Sequence, residues 1–126
     1  MKDDYQYKKI LERFASVHGL HLELTKDANG FFFSSLSMTK NQTTSIGIVF
    51  NKYNTIIYYD GMLKGRGDSE DSACKEYLNI ILGNEIWFFF ASENRSSISS
   101  YEEVVRVPSS LEELVVQCDL SLGNDM

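Results

Sequence analysis

A β-branched run at 45–50, Ser45-Ile46-Gly47-Ile48-Val49-Phe50, meets the polar residues Asn51-Lys52-Tyr53-Asn54 and then a second run, Thr55-Ile56-Ile57-Tyr58-Tyr59. No other stretch restricts the fold as much. Branched and aromatic side chains suit a pleated, half-buried surface, and the polar reversal between the two runs sets which residues oppose one another. Whether the loop has two or four residues, one register follows. It places Phe50 opposite Thr55, Ile48 opposite Ile57 and Ile46 opposite Tyr59, and alternation sends Val49, Ile56, Tyr58 and Asp60 to the other face. A chain with this hairpin at its centre is committed to a sheet.

The flanking segments supply the rest of an α+β pattern. Tyr7, Ile10, Leu11, Phe14 and Val17 recur at helical spacing, with Asp3 or Asp4 as cap and Gly19 as stop. His21-Leu22-Glu23-Leu24-Thr25 alternates, Asp27-Ala28-Asn29-Gly30 has turn chemistry, and 31–38 returns as a second strand. Three glycines and two basic residues make 61–67 read as a mobile connection. Asp68 or Ser69 then caps a helix carrying Ala73, Tyr77, Leu78, Ile80 and Ile81, which Gly83-Asn84 stops. The strand at 85–91 is apolar on both faces, which predicts a central place with cover above and below. A serine-rich loop at 92–100 precedes a last strand at 101–107, ended by Pro108. Ser109 or Ser110 starts a short helix through Leu111, Leu114, Val115 and Cys118, with 120–126 frayed. The predicted fold is α+β: a mostly antiparallel sheet of about six strands, an N-terminal helix, a middle helix and a short C-terminal helix, in one domain spanning 1–126.

Composition narrows the function classes. With 43% hydrophobic residues the chain buries a core, and a formal charge of -6 with a pI near 4.8 disfavours nucleic acid and anionic membrane as partners. The charged start, MKDDYQYKK, is unlike a secretory signal, and no run reaches the ~20 apolar residues of a membrane span, so a soluble cytoplasmic protein is expected. Cys74 and Cys118 lack metal or redox spacing and are expected as buried, reduced thiols.

Catalytic constellations are missing from the pattern. His18 and His21 straddle a helix end without a nearby cysteine, and His18 is expected to favour the carbonyl end of its helix. Lys64-Gly65-Arg66-Gly67-Asp68-Ser69 has the flavour of a phosphate-cradling turn, yet it lacks the Gly-x-x-x-x-Gly-Lys pattern, and Asp68, Glu70 and Asp71 repel an anion there. Adjacent carboxylates in Glu102/Glu103 and Glu112/Glu113 point apart, so they read as surface charge. The expectation is a non-enzyme without cofactor or metal.

Charge distribution is what remains. From Ser69 onward there are eleven acidic and three basic residues, against seven acidic and nine basic before it. Such a lopsided field steers a basic partner. The sheet face bearing Val49, Ile56 and Tyr58 is a candidate for a partly open, aromatic face ringed by acid, as protein interfaces are, while Trp87 and Phe89 read as core in preference to members of it.

A small acidic α+β chain with hairpins, no catalytic constellation and an acidic C-terminal half resembles the bacterial immunity proteins of contact-dependent inhibition systems. That resemblance implies a monomer or homodimer whose acidic surface covers a basic toxin domain, with Asp60, Glu70, Asp71, Glu102 and Glu103 as contacts and Tyr58 beside them. Over roughly 7–62, the amphipathic helix, the Gly19-Leu20 exit and the Asn29-Gly30 hairpin are also similar to type III secretion chaperones, which hold an effector segment. A small hydrolase or nucleotide-binding module is the reading from the enzyme class.

Overall fold

The computed structural model describes residues 6–38, 44–51, 55–90 and 101–123, with side chains at 44, 55–59, 90, 101–102 and 119–123 outside the described set. Helix α1 spans Tyr7–Val17 and buries Tyr7, Ile10, Leu11 and Phe14 of the predicted stripe together with Ala15, whereas Val17, expected on the same stripe, is 41% exposed in the last turn. Its cap differs from expectation. Asp3 and Asp4 lie outside the described residues, Gln6 occupies the N-cap without a side-chain bond, and the Lys8 amide in the first turn donates instead to Asp71 Oδ1 at 3.0 Å. A carboxylate 63 positions away in sequence thus satisfies an orphan donor of α1.

Strands β1 (Leu20–Lys26) and β2 (Phe32–Met38) form the first predicted hairpin. Asp27 closes its turn: Oδ1 accepts from the Asn29 and Phe31 amides, and the Asp27 amide donates to the Phe31 carbonyl. Strands β3 (Thr44–Phe50) and β4 (Thr55–Tyr59) form the second hairpin. Phe50 pairs with Thr55 as expected, but Ile48 stands opposite Tyr58 and Gly47 opposite Tyr59. A bulge between Ile48 and Val49 takes Ile57 out of register, so the expected pairs Ile48/Ile57 and Ile46/Tyr59 do not form. One extra residue on one strand is enough to shift every later pair.

The 61–67 segment is not simply a connection, because Gly65–Gly67 is strand β5, antiparallel to β2. Helix α2 (Glu70–Ile81) follows, capped by Ser69 through a reciprocal box with Ser72. Strand β6 (Glu85–Phe90) lies between β3 and β7 (Tyr101–Arg106), the central position its apolar faces predict. Helix α3 (Leu111–Gly123), expected to be short, runs for 13 residues and continues through 120–123, where the sequence predicts fraying. Ser110 Oγ accepts from the Glu113 amide at its start.

All described pairings are antiparallel, in an α+β fold whose strands divide into two sheets, β1-β2-β5 and β4-β3-β6-β7. The helices share one core with both. Leu11, Phe14, Leu20, Leu36, Ile46, Ile48, Tyr77, Leu78, Ile81, Ile86 and Leu114 meet there. The polar turn after α2 is pinned by its neighbours: Gly83 N donates to Pro108 O, Val107 N to Asn84 O, and the Asn51 amide group to Gly83 O. No helix among the described residues is long and apolar enough to cross a membrane.

Candidate functional site

The acidic half separates into carboxylates that hold the fold together and carboxylates that face solvent. Glu70 and Asp71, expected as partner contacts, belong to the first group. Lys8 Nζ reaches Glu70 Oε1 at 2.8 Å while the Lys8 amide takes Asp71, so the start of α2 clamps the start of α1. The Glu70 hydrogen bond, followed by its charge, raises the Lys8 pKa. Asp60 is likewise engaged, accepting from the Ile46 amide at 2.7 Å. Glu76 Oε1 accepts from the Arg66 amide at 2.8 Å, bracing β5.

Substituting Asp71 by alanine removes a helix cap and is expected to cost about 1 kcal/mol in chemical denaturation. Reversal of Glu112 and Glu113 to lysine breaks no such bond, but it puts positive charge on the first turn of α3 and is expected to cost about 0.3–1 kcal/mol per position.

The glycines of the phosphate-like turn have a packing role. A Cβ on Gly65 meets the Ala73 carbonyl oxygen and lies 2.7 Å from the Tyr77 amide nitrogen, and one on Gly67 meets Ser72 Oγ and the Ala73 amide nitrogen. The space that an anion cradle requires is filled by α2 itself. Arg66 points elsewhere, with its guanidinium 4.0 Å from the Phe31 ring centroid.

On the second sheet, the described residues of the candidate open face are mostly buried, in line with the core reading for Phe89. Val49 and Phe89 are 1% and 2% exposed, and Trp87 is half-buried. The side chains of Ile56, Tyr58 and Glu102 lie outside the described residues. This face also holds a group that residue-by-residue reading missed: Glu85, 8% exposed, takes the Trp87 indole N–H at 2.9 Å on Oε1 and Arg106 Nη1 at 2.9 Å on Oε2. The available signal was period-two spacing, which sets 85 and 87 on one face of a strand. With both oxygens occupied, Glu85 is a structural carboxylate.

Among the described residues of the acidic half, the exposed carboxylates without an intramolecular hydrogen bond are Glu103 on β7 and Glu112 and Glu113 on the first turn of α3. Glu112, Glu113, Val116 and Gln117 line a shallow depression, and Val116 is 54% exposed. Sequence reasoning treated the α3 pair as helix-start charge alone. The missed signal is the i, i+4 spacing that stacks Glu112 over Val116 and Glu113 over Gln117.

Glu103 also acts on His18, whose ring packs against Phe14 with centroids 4.6 Å apart. His18 stands at the C-cap of α1 as expected, but burial lowers its pKa from 6.5, with the Glu103 charge opposing this, and so works against a charged ring there. A base whose folded pKa is depressed stabilises the fold above the unfolded value and loses that contribution as pH falls through the folded one. Stability is therefore expected to fall below pH 6.5, less steeply in His18→Gln and more steeply in Glu103→Gln, as read from denaturation midpoints across that range.

Cys74 and Cys118 are free and buried, and burial pushes the Cys74 thiol up to about 11. Among the described residues, no group of three His, Cys, Asp or Glu side chains is arranged to hold a metal ion. Comparison of the chain with protein-family models, curated proteins and solved structures gives no match.

Proposed function

We propose that this chain is a protein-binding module, an immunity protein that acts in the cytoplasm by covering a basic domain of a cognate bacterial toxin. One observation carries the reading. While Glu70, Asp71, Glu76 and Glu85 are spent on intramolecular bonds, Glu103, Glu112 and Glu113 stay exposed, two of them around the apolar Val116. An exposed aliphatic group edged by like charge offers a basic partner both steering and a dry contact. The contact set is thus reassigned from the α2 start to the β7–α3 unit, with no catalytic residue and no cofactor.

The test is association with the toxin domain encoded beside this gene. The rate is expected to drop as the Debye length shrinks from ~10 Å at 0.1 M salt to ~3 Å at 1 M, and to drop about tenfold at 0.1 M in E103K/E112K/E113K. Rates that ignore both salt and the triple reversal refute the reading. The length of α3 supports a second one, a type III secretion chaperone, since those close with a substantial helix after the last strand. Such a protein binds an extended apolar segment with little salt dependence.

A further inference from the structure

Strand β1 is an edge, and its outward hydrogen-bonding groups follow from the turn beside it. The Asp27 amide donates to the Phe31 carbonyl, so Asp27/Phe31 is a hydrogen-bonded pair of the β1–β2 ladder. The register from Leu20↔Met38 to Lys26↔Phe32 is unbroken, and antiparallel pairs alternate between bonded and non-bonded. Thr25, Glu23 and His21 therefore spend their amides and carbonyls on β2. Leu20, Leu22, Leu24 and Lys26 aim theirs away from the sheet, where nothing among the described residues pairs with them. His21, Glu23, Thr25 and Lys26 are exposed, and Leu22 and Leu24 are only half-buried.

We infer that this edge is a self-association surface, on which β1 of a second copy docks antiparallel about a twofold axis at Leu22. The choice of occupant rests on charge complementarity. With the axis at Leu22, Leu20 faces Leu24 of the second copy in hydrogen-bonded pairs. His21 then falls opposite Glu23 in the closer, non-bonded pairs, twice by symmetry. The apolar residues keep to the core side and the polar ones to the other face. Moving the axis to Glu23 sets the two Glu23 carboxylates against each other, and moving it to Leu24 leaves Glu23 facing threonine; both lose the pairing. Dimerisation then joins two three-stranded sheets into one of six strands. The edge carries one lysine and no proline to deter it.

Sedimentation equilibrium of the full chain is expected to show a concentration-dependent dimer. Amide hydrogen exchange supplies a test that needs no variant: Leu20, Leu22 and Leu24 slow as the dimer fills, while His21 and Glu23, already bonded to β2, do not change. Glu23→Gln is expected to weaken the dimer about tenfold, by loss of two cross-strand pairs. Under the Glu23-centred register it strengthens the dimer instead. His21→Glu weakens it by at least as much, and the double exchange H21E/E23H restores it. All these positions are on the surface, so thermal midpoints should stay near the parent value. A chain that remains monomeric at submillimolar concentration overturns the inference, as does a dimer with unchanged Leu20, Leu22 and Leu24 exchange or one strengthened by Glu23→Gln.

Discussion

Gly65→Ala is expected to lower the thermal midpoint by roughly 10 °C or more, well beyond the effect of the same change at Gly61. Overpacking a well-filled interior costs about 1–3 kcal/mol, and more where the obstructing atoms cannot rotate away. At Gly65 the new methyl meets backbone atoms of Ala73 and Tyr77 inside α2 as well as Ser34 Oγ, itself hydrogen-bonded to the Ala73 carbonyl at 2.9 Å. Relief requires β5 and α2 to separate, which opens the core at Tyr77 and Leu78. A cost of about 3 kcal/mol is a large part of the ~5–15 kcal/mol that stabilises a domain. Gly61→Ala is the control: its site is open for 4 Å around, and only its φ of +69° resists a side chain. That strain costs about 1 kcal/mol. If Gly65→Ala melts no lower than Gly61→Ala, β5 does not pack against α2 as described.

Ile48→Asp is expected to abolish cooperative folding. Ile48 is 2% exposed on β3, between β4 and β6, and its cross-strand neighbour Ile86 is 1% exposed. An uncompensated charge in such a place costs about 3–5 kcal/mol. Loss of near-ultraviolet circular dichroism and of a sharp denaturation midpoint is the expected result. A variant with the parent's midpoint means that Ile48 is not buried between these strands. The bulge does not soften the outcome, because it changes which residue lies opposite Ile48 on β4 and leaves its side chain in the shared core.

Which residues face inward was largely readable from the chain. Most of the α1 stripe, both hairpins, a cap at Asp68 or Ser69 and the central place of β6 all depend on spacing within one segment: three and four residues for a helix, two for a strand, a fixed offset for a cap. Local steric and hydrogen-bond rules act at that range, so sequence alone determined these elements and the α+β class. The candidate site was less legible. Asp60, Glu70 and Asp71 looked like free surface charge, and each proved to hold a backbone amide or a lysine across the fold.

Tertiary structure alone decided the rest, for a common reason. The bulge at Ile57, the pairing of Gly65–Gly67 with β2, the division into two sheets and the capping of α1 by Asp71 each join residues that have no fixed relation along the chain. A carboxylate reads the same in sequence whether its oxygens meet solvent or an amide 63 positions away, and two glycines read the same whether they loosen a loop or admit a helix. Only packing distinguishes these cases, because the energies at stake, overlap at about 2.7 Å and hydrogen bonding at about 3 Å, exist only once distant segments touch.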